Sequence, residues 1–206
     1  MTDKAITCIE GVAAALFLEN IDTDSIIPSR DITSPARDGY GPKLFAAWRY
    51  SAPGGPENPE FVLNREPWRQ ARILIAGANF GCGSSREMAV WALWQFGIRC
   101  VIAPSFGAIF RNNCVRNFLL PVELPSHTVQ TLAAAASAAP LVLRVDLPAG
   151  VVMAPDGSSH PFTLEPDERQ VLLAGLDAIA LTWRHRPAIE AFEATDRQRR
   201  PWVWAR

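Results

Sequence analysis

Between Arg72 and Cys100 a short apolar run, a glycine-spaced turn and a longer apolar stretch follow one another, and this order predicts a buried strand, a tight loop and a buried helix. Ile73 to Ala76 is continuous and apolar, the pattern of a strand covered on both faces. Gly77, Gly81 and Gly83 supply the permissive backbone of a tight turn, and Ser84 or Ser85 is a natural N-cap for a helix that stops at Gly97. Met88, Val90, Trp91, Leu93, Trp94 and Phe96 fall on almost every face of that helix, so it is predicted to be largely buried. Its orphan N–H groups and positive dipole end then face whatever lies above Gly83, Ser84 and Ser85, with Arg86 in the first turn. Such a place suits an anion.

The rest of the chain narrows the ligand. With 206 residues, 49% hydrophobic and 20% charged, the sequence reads as a soluble globular domain, at most with an appendage. Twenty basic residues against 21 acidic ones leave a net charge of −1, which gives no electrostatic argument for nucleic acid or an anionic membrane. No apolar run approaches the ~20 residues a bilayer span requires. The segment from Gly11 to Leu18 lacks a basic leader and runs straight into Glu19, Asn20 and Asp22, so it reads as a strand and not as a signal peptide. Cys8, Cys82, Cys100 and Cys114 form no Cys-x-x-Cys pair and have no histidine at ligand spacing, so they read as reduced thiols of a cytoplasmic protein.

In chain order, Val12 to Phe17 leads into Asn20-Ile-Asp-Thr-Asp-Ser-Ile-Ile-Pro28, where Asp22 and Asp24 would share one face of an extended segment. Spacing alone favours an Asx-type turn there over a catalytic pair. Ser29 to Tyr40 has no periodicity and reads as a loop carrying Arg30 and Arg37, able to close over an anion. Leu44 to Tyr50 has helical spacing. Cys100–Ala103 and Leu119–Leu124 are further strands around a helix at 107–117, which completes a parallel βαβ series with right-handed crossovers. Ser126–Ala139 is a helix, and strands are expected at Leu141–Val145, Val151–Met153 and Pro161–Leu164, the last two as a hairpin around Asp156 and Gly157. Pro166–Ala174 is a helix, Ile179–Trp183 a last strand and Pro187–Ala194 a last helix. The tail 196–206 reads as a frayed, solvated end.

The loop chemistry can be thinned by elimination. A dinucleotide fingerprint needs a glycine where Arg86 stands, a phosphate loop needs Gly-Lys-Ser/Thr, and a nucleophile elbow needs a glycine two residues after its serine. None fits. A serine pair beside an arginine at a helix N-terminus can hold a carboxylate through N–H groups, hydroxyls and a bidentate guanidinium. Read locally, this is an anion site of unspecified substrate.

Phe80-Gly-Cys-Gly-Ser-Ser-Arg-Glu87, the Asn20–Pro28 segment, Ala103-Pro-Ser-Phe106 with Ile109-Phe110, Leu119-Leu-Pro121 and Gly175-Leu-Asp-Ala-Ile-Ala-Leu-Thr182 together resemble the small-subunit family of 3-isopropylmalate dehydratases, in the aconitase superfamily. The resemblance covers residues 1–195 and leaves the tail 196–206 outside. It implies an α/β fold, a three-layer β/β/α swivelling domain with a mostly parallel sheet, docking on a separate large subunit that carries a 4Fe-4S cluster. It also implies a hydro-lyase that isomerises 2-isopropylmalate and 3-isopropylmalate through an alkene, with a small dicarboxylate as substrate and no metal bound by this chain. Residue by residue, Ser84 matches the catalytic base, Ser85 and Arg86 match substrate-carboxylate ligands, Arg37 matches a further carboxylate-binding arginine across a one-residue gap, and Asp24 matches an orienting acid. A serine hydroxyl ionises far above neutral pH, so its charged form needs the helix N-terminus and Arg86 beside it.

The sequence departs from that family at Met88, where a histidine is usual, at Ala78, where an acid is usual, and at Ser29-Arg-Asp-Ile-Thr33, where the loop usually carries an aromatic and a leucine. That loop distinguishes substrate side chains, which keeps methyl- or dimethylmalate and citraconate open beside the isopropyl compound. A non-catalytic anion-binding module is the alternative of a different class.

Overall fold

A computed structural model describes residues 5–32 and 36–205. Among them the α-helices, in chain order, are α1 (Thr23–Ile26), α2 (Ala46–Arg49), α3 (Glu87–Phe96), α4 (Ala108–Arg116), α5 (Ser126–Ala138), α6 (Pro166–Ala174), α7 (Ala178–Trp183), α8 (Arg186–Arg199) and α9 (Pro201–Trp204). Seven strands, β1 (Cys8–Leu16), β2 (Ile73–Ala76), β3 (Cys100–Ala103), β4 (Leu120–Glu123), β5 (Leu141–Asp146), β6 (Val151–Met153) and β7 (Ser159–Pro161), form one sheet in the order β4-β3-β2-β1-β5-β6-β7. Strands β1 to β4 are parallel and β5 to β7 continue the sheet antiparallel, so the α/β class and the parallel majority hold.

The order of elements follows from which runs are apolar. Every residue of β2 and of β3 is buried, as continuous apolar runs require at the centre of a parallel sheet. Helices α3 and α4 close the two parallel crossovers and bury Val90, Leu93, Phe110 and Cys114 against Leu74 and Val101 on one face. On the opposite face α5 runs back beneath the parallel strands to reach β5, and Val129, Leu132 and Ala136 pack on Ile73, Ile75 and Ile102. Pro121 and Pro161 sit in β4 and β7, the two edge strands, where a missing N–H costs no ladder bond.

Two expectations are corrected. Ile179–Trp183, read as a strand, lies in α7, because Asp177 caps that segment by accepting from Ala180 N at 2.7 Å. A five-residue apolar run is equally compatible with a helical turn, and the cap decides. The tail is ordered locally instead of frayed: Asp196 in α8 accepts from Arg200 Nε at 2.7 Å and from Trp204 Nε1 at 3.0 Å, while Trp202 stays exposed. Among the described residues no helix is long and apolar enough to cross a membrane.

Candidate active site

The glycine loop after β2 is built as the middle of three loops that leave the carboxyl ends of β1, β2 and β3, the end of a parallel sheet where ligand sites form. Against the loop after β1 it makes a continuous zipper. Gly77 N donates to Leu18 O at 3.1 Å, Asn20 N to Ala78 O at 2.9 Å, Gly81 N to Ile21 O at 2.7 Å and Thr23 N to Cys82 O at 3.0 Å. Against the loop after β3, Phe80 N donates to Ser105 O at 3.1 Å and Gly107 N to Phe80 O at 2.9 Å. Side chains reinforce both seams, since Asn79 Nδ2 donates to Asn20 Oδ1 and Asn79 N to Ser105 Oγ.

Three glycines are required by the closeness of these seams, and a Cβ on Gly77 would lie 2.4 Å from Leu18 O. A Cβ on Gly81, whose φ is +74°, would lie 2.2 Å from Phe110 Cγ, and one on Gly107 would lie 2.6 Å from Gly81 O. The ring of Phe110 meets that of Phe80 edge-on at 5.3 Å, which fixes the floor of the loop.

Because the loop stays bonded to Thr23 through Cys82 O and Ser84 O, α3 begins later than the serines suggest. Its N-cap is Arg86, with φ −132° and ψ 99°, and neither Ser84 nor Ser85 caps it by a side-chain bond. This corrects the expected serine cap and changes the site. Both serines are exposed, and among the described residues neither hydroxyl has a hydrogen-bond partner, so both are available to a ligand.

Asp22 and Asp24 do not share a face of an extended segment. Asp22 is the N-cap of α1, accepting from Ser25 N at 2.7 Å, the turn-forming role that spacing favoured. Asp24, inside α1, accepts from Ser29 N at 2.9 Å and from Arg86 Nη1. The guanidinium beside Asp24, helped by the Ser29 N–H, holds its carboxyl below the ordinary carboxylate range. Arg86 Nη1 also donates to Ile27 O at 3.2 Å, whereas its Nε and Nη2 have no partner among the described residues. One edge of the fork is anchored and the other is free, the arrangement that presents a guanidinium to a carboxylate.

Among the described residues Arg37 makes no hydrogen bond or ion pair with Ser84, Ser85, Asp24 or Arg86. Its guanidinium lies 5.1 Å from the Trp91 ring centroid and its carbonyl accepts from Gln95 Nε2. Trp91, beneath the guanidinium, stands about 6 Å along α3 from Glu87 at a rise of 1.5 Å per residue. There Arg37 helps to line a cavity of about 210 Å³ with Trp91, Trp94, Gln95 and Arg116. Part of the loop that carries it, 33–35, lies outside the described residues. Met88 packs against the buried cluster around α3.

Thr23 was not singled out by sequence. It is 2% exposed, and its hydroxyl donates to Ser84 O at 2.7 Å. The available signal was a hydroxyl residue between the two acids of Asp22-Thr-Asp24, whose partner lies 61 positions away.

Comparison with known proteins agrees along most of the chain. The Aconitase C-terminal domain family matches residues 4–127, and the family of the C-terminal domain of the 3-isopropylmalate dehydratase small subunit matches residues 179–204. The 3-isopropylmalate dehydratase small subunit of Cupriavidus necator is 55% identical over 204 residues, covering 97% of this chain and 98% of that one. That of Rhodospirillum centenum is 51% identical over 201 residues, covering 97% of this chain and 98% of its own. A crystal structure of 3-isopropylmalate dehydratase from Methanocaldococcus jannaschii superposes with a TM-score of 0.66 at 24% identity, over 90% of this chain and 99% of that chain, which supports the fold.

Proposed function

The chain belongs to the 3-isopropylmalate dehydratase small-subunit family of the aconitase superfamily, and from that premise we propose that it carries the base and the carboxylate-binding groups of a hydro-lyase interconverting 2-isopropylmalate and 3-isopropylmalate in leucine biosynthesis. Its partner is a large subunit, and we place the pair in the cytoplasm. The observation that carries the reading is the pairing of two exposed serines, whose hydroxyls have no partner among the described residues, with an arginine whose other edge is already held by Asp24 and Ile27 O.

In dehydration, Ser84 Oγ as the alkoxide removes the proton from the carbon next to a carboxylate, the neighbouring hydroxyl leaves with its bonding pair as hydroxide, and an alkene results, the proton on the serine and the hydroxide together making up one water. In rehydration at the adjacent carbon the same oxygen returns the proton. Arg86 and the Ser85 hydroxyl hold the carboxylate, and the carboxylate of Asp24 keeps the guanidinium pointed. The positive charge of the Arg86 guanidinium, together with the N-terminus of α3, is what favours the ionised serine.

Family membership implies an iron–sulfur cluster, which when bound beside this site would supply a Lewis acid for the substrate hydroxyl. This chain's own donors do not fit one: among the described residues no three His, Cys, Asp or Glu side chains gather to hold a metal, and Cys100 and Cys114 are buried with their thiols pushed up. We therefore assign the 4Fe-4S cluster to the large subunit.

The test is Ser84→Ala in the reconstituted pair. Turnover should fall by about 10²–10⁴, the range of a general base, with affinity for the large subunit unchanged. Wild-type turnover in that variant would sink the assignment. A second reading, another substituted malate as substrate, is favoured by the unusual Ser29-Arg-Asp31 turn after Pro28, a short 3₁₀ helix directly beyond Asp24. A panel of 2- and 3-alkylmalates on the same pair separates the two by kcat/KM.

A further inference from the structure

We propose that Thr23 is a positioning residue for Ser84, setting where the serine hydroxyl stands when it takes the proton; the inference rests on the reading of Ser84 as the base. Ser84 lies on the exposed rim of a glycine loop, with Gly83 directly before it at φ +85°. A glycine in that conformation leaves the following residue free to swing, because neighbouring backbone states are close in energy. Something outside the loop must therefore fix Ser84.

Thr23 is the group that reaches it. Its backbone N–H holds Cys82 O at 3.0 Å and its hydroxyl holds Ser84 O at 2.7 Å, so one residue grips the chain on both sides of Gly83. Among the described residues the Ser84 carbonyl has no other donor, and the serine's own side chain has no partner. Thr23 is itself held on several sides. It is 2% exposed, it opens the one-turn helix capped by Asp22, and its carbonyl accepts from Ile27 N at 3.0 Å. The ideal Cβ position at Gly83 falls 3.6 Å from Asp22 Cβ and 4.0 Å from Thr23 Oγ1, so the loop lies directly against this anchor.

The same helical turn carries Asp24, whose carboxylate fixes Arg86. Thr23 and Asp24 thus hold the base and the carboxylate ligand from one rigid turn, and the two serve different steps. Displacing the base by a fraction of an ångström raises the barrier to proton transfer, while substrate binding through Arg86 is left in place. Loss of the Thr23 hydroxyl is therefore a kcat effect.

Thr23→Val keeps the branched shape and deletes the hydroxyl. In the reconstituted pair, with turnover expressed per assembled complex, kcat should fall by about 10- to 100-fold while KM changes by less than about twofold. Thr23→Ser, which restores the donor, should return kcat to within about threefold of wild type. Thr23→Val placed on Ser84→Ala should cause no further loss, since the group it positions is gone. Wild-type kcat in Thr23→Val, failure of Thr23→Ser to rescue, or full additivity with Ser84→Ala would each overturn the proposal. Ser84→Ala alone tells the two readings apart: if it is inactive and Thr23→Val is normal, only the role of Thr23 fails, and if it is active the base assignment fails and takes this inference with it.

Discussion

Asp24 and Arg86 stand 62 positions apart in sequence and meet at one carboxylate oxygen. Because Arg86 and the Ser29 N–H both favour the ionised form, the Asp24 carboxyl should titrate below its ordinary value of 3.8. The folded state then binds this proton less tightly than the unfolded state does. The stabilisation it contributes is complete above the ordinary value and is lost as pH falls through the lowered one. A carbon-13 titration of the Asp24 carboxyl should show a midpoint below 3.8 in the native chain and a return towards it in Arg86→Gln; equal midpoints would remove the pair. At this scale the residue types were legible, since a serine pair and an arginine after a glycine turn already specify an anion site. Their partners were not. Nothing in the order of residues says that Asp24 turns to Arg86 or that Thr23 reaches Ser84, because each is a contact between distant segments, whereas the local Asp22 cap is the turn that spacing favoured.

Among elements, the glycine loop shows how tertiary pairing overrides a local signal. Ser84 and Ser85 are good caps by propensity, yet the backbone before Arg86 is committed to the seam with residues 21–23, and α3 cannot start until that seam ends. The cap signal was correct chemistry applied two residues early. Gly81 gives the most direct test of the seam. Gly81→Ala places a methyl group against Phe110 at a positive φ, and should destabilise the chain by about 2–5 kcal/mol, read as a lowered denaturant midpoint with an unchanged slope. Gly157 also has a positive φ but meets nothing within 4 Å, so its alanine variant should cost less, and equal losses would mean that conformation alone matters and the packing on Phe110 does not.

For the whole molecule, burial separates the four cysteines. Cys8 is exposed and Cys82 half-buried, whereas Cys100 and Cys114 are fully buried on the sheet and in α4, where loss of solvent pushes their thiols up. An alkylating reagent at pH 8 should modify Cys8 and Cys82 in the native chain and reach all four after unfolding; modification of Cys100 without unfolding would contradict the packing. The sequence by itself determined the strand–loop–helix at 72–100, the α/β class and the chemical types at the site, because period, apolar runs and glycine spacing are local and each constrains its own neighbourhood. The tertiary structure alone decided that the Arg37 guanidinium lies over Trp91 with its carbonyl on Gln95, and that Thr23 and Asp24 hold the loop that Ser84 and Arg86 occupy. Those outcomes depend on hydrogen bonds across some sixty residues, formed only once β1 and β2 lie side by side and bring their carboxyl-end loops into register. The stretch of glycines and serines supplies the groups, and the sheet beneath it supplies their positions.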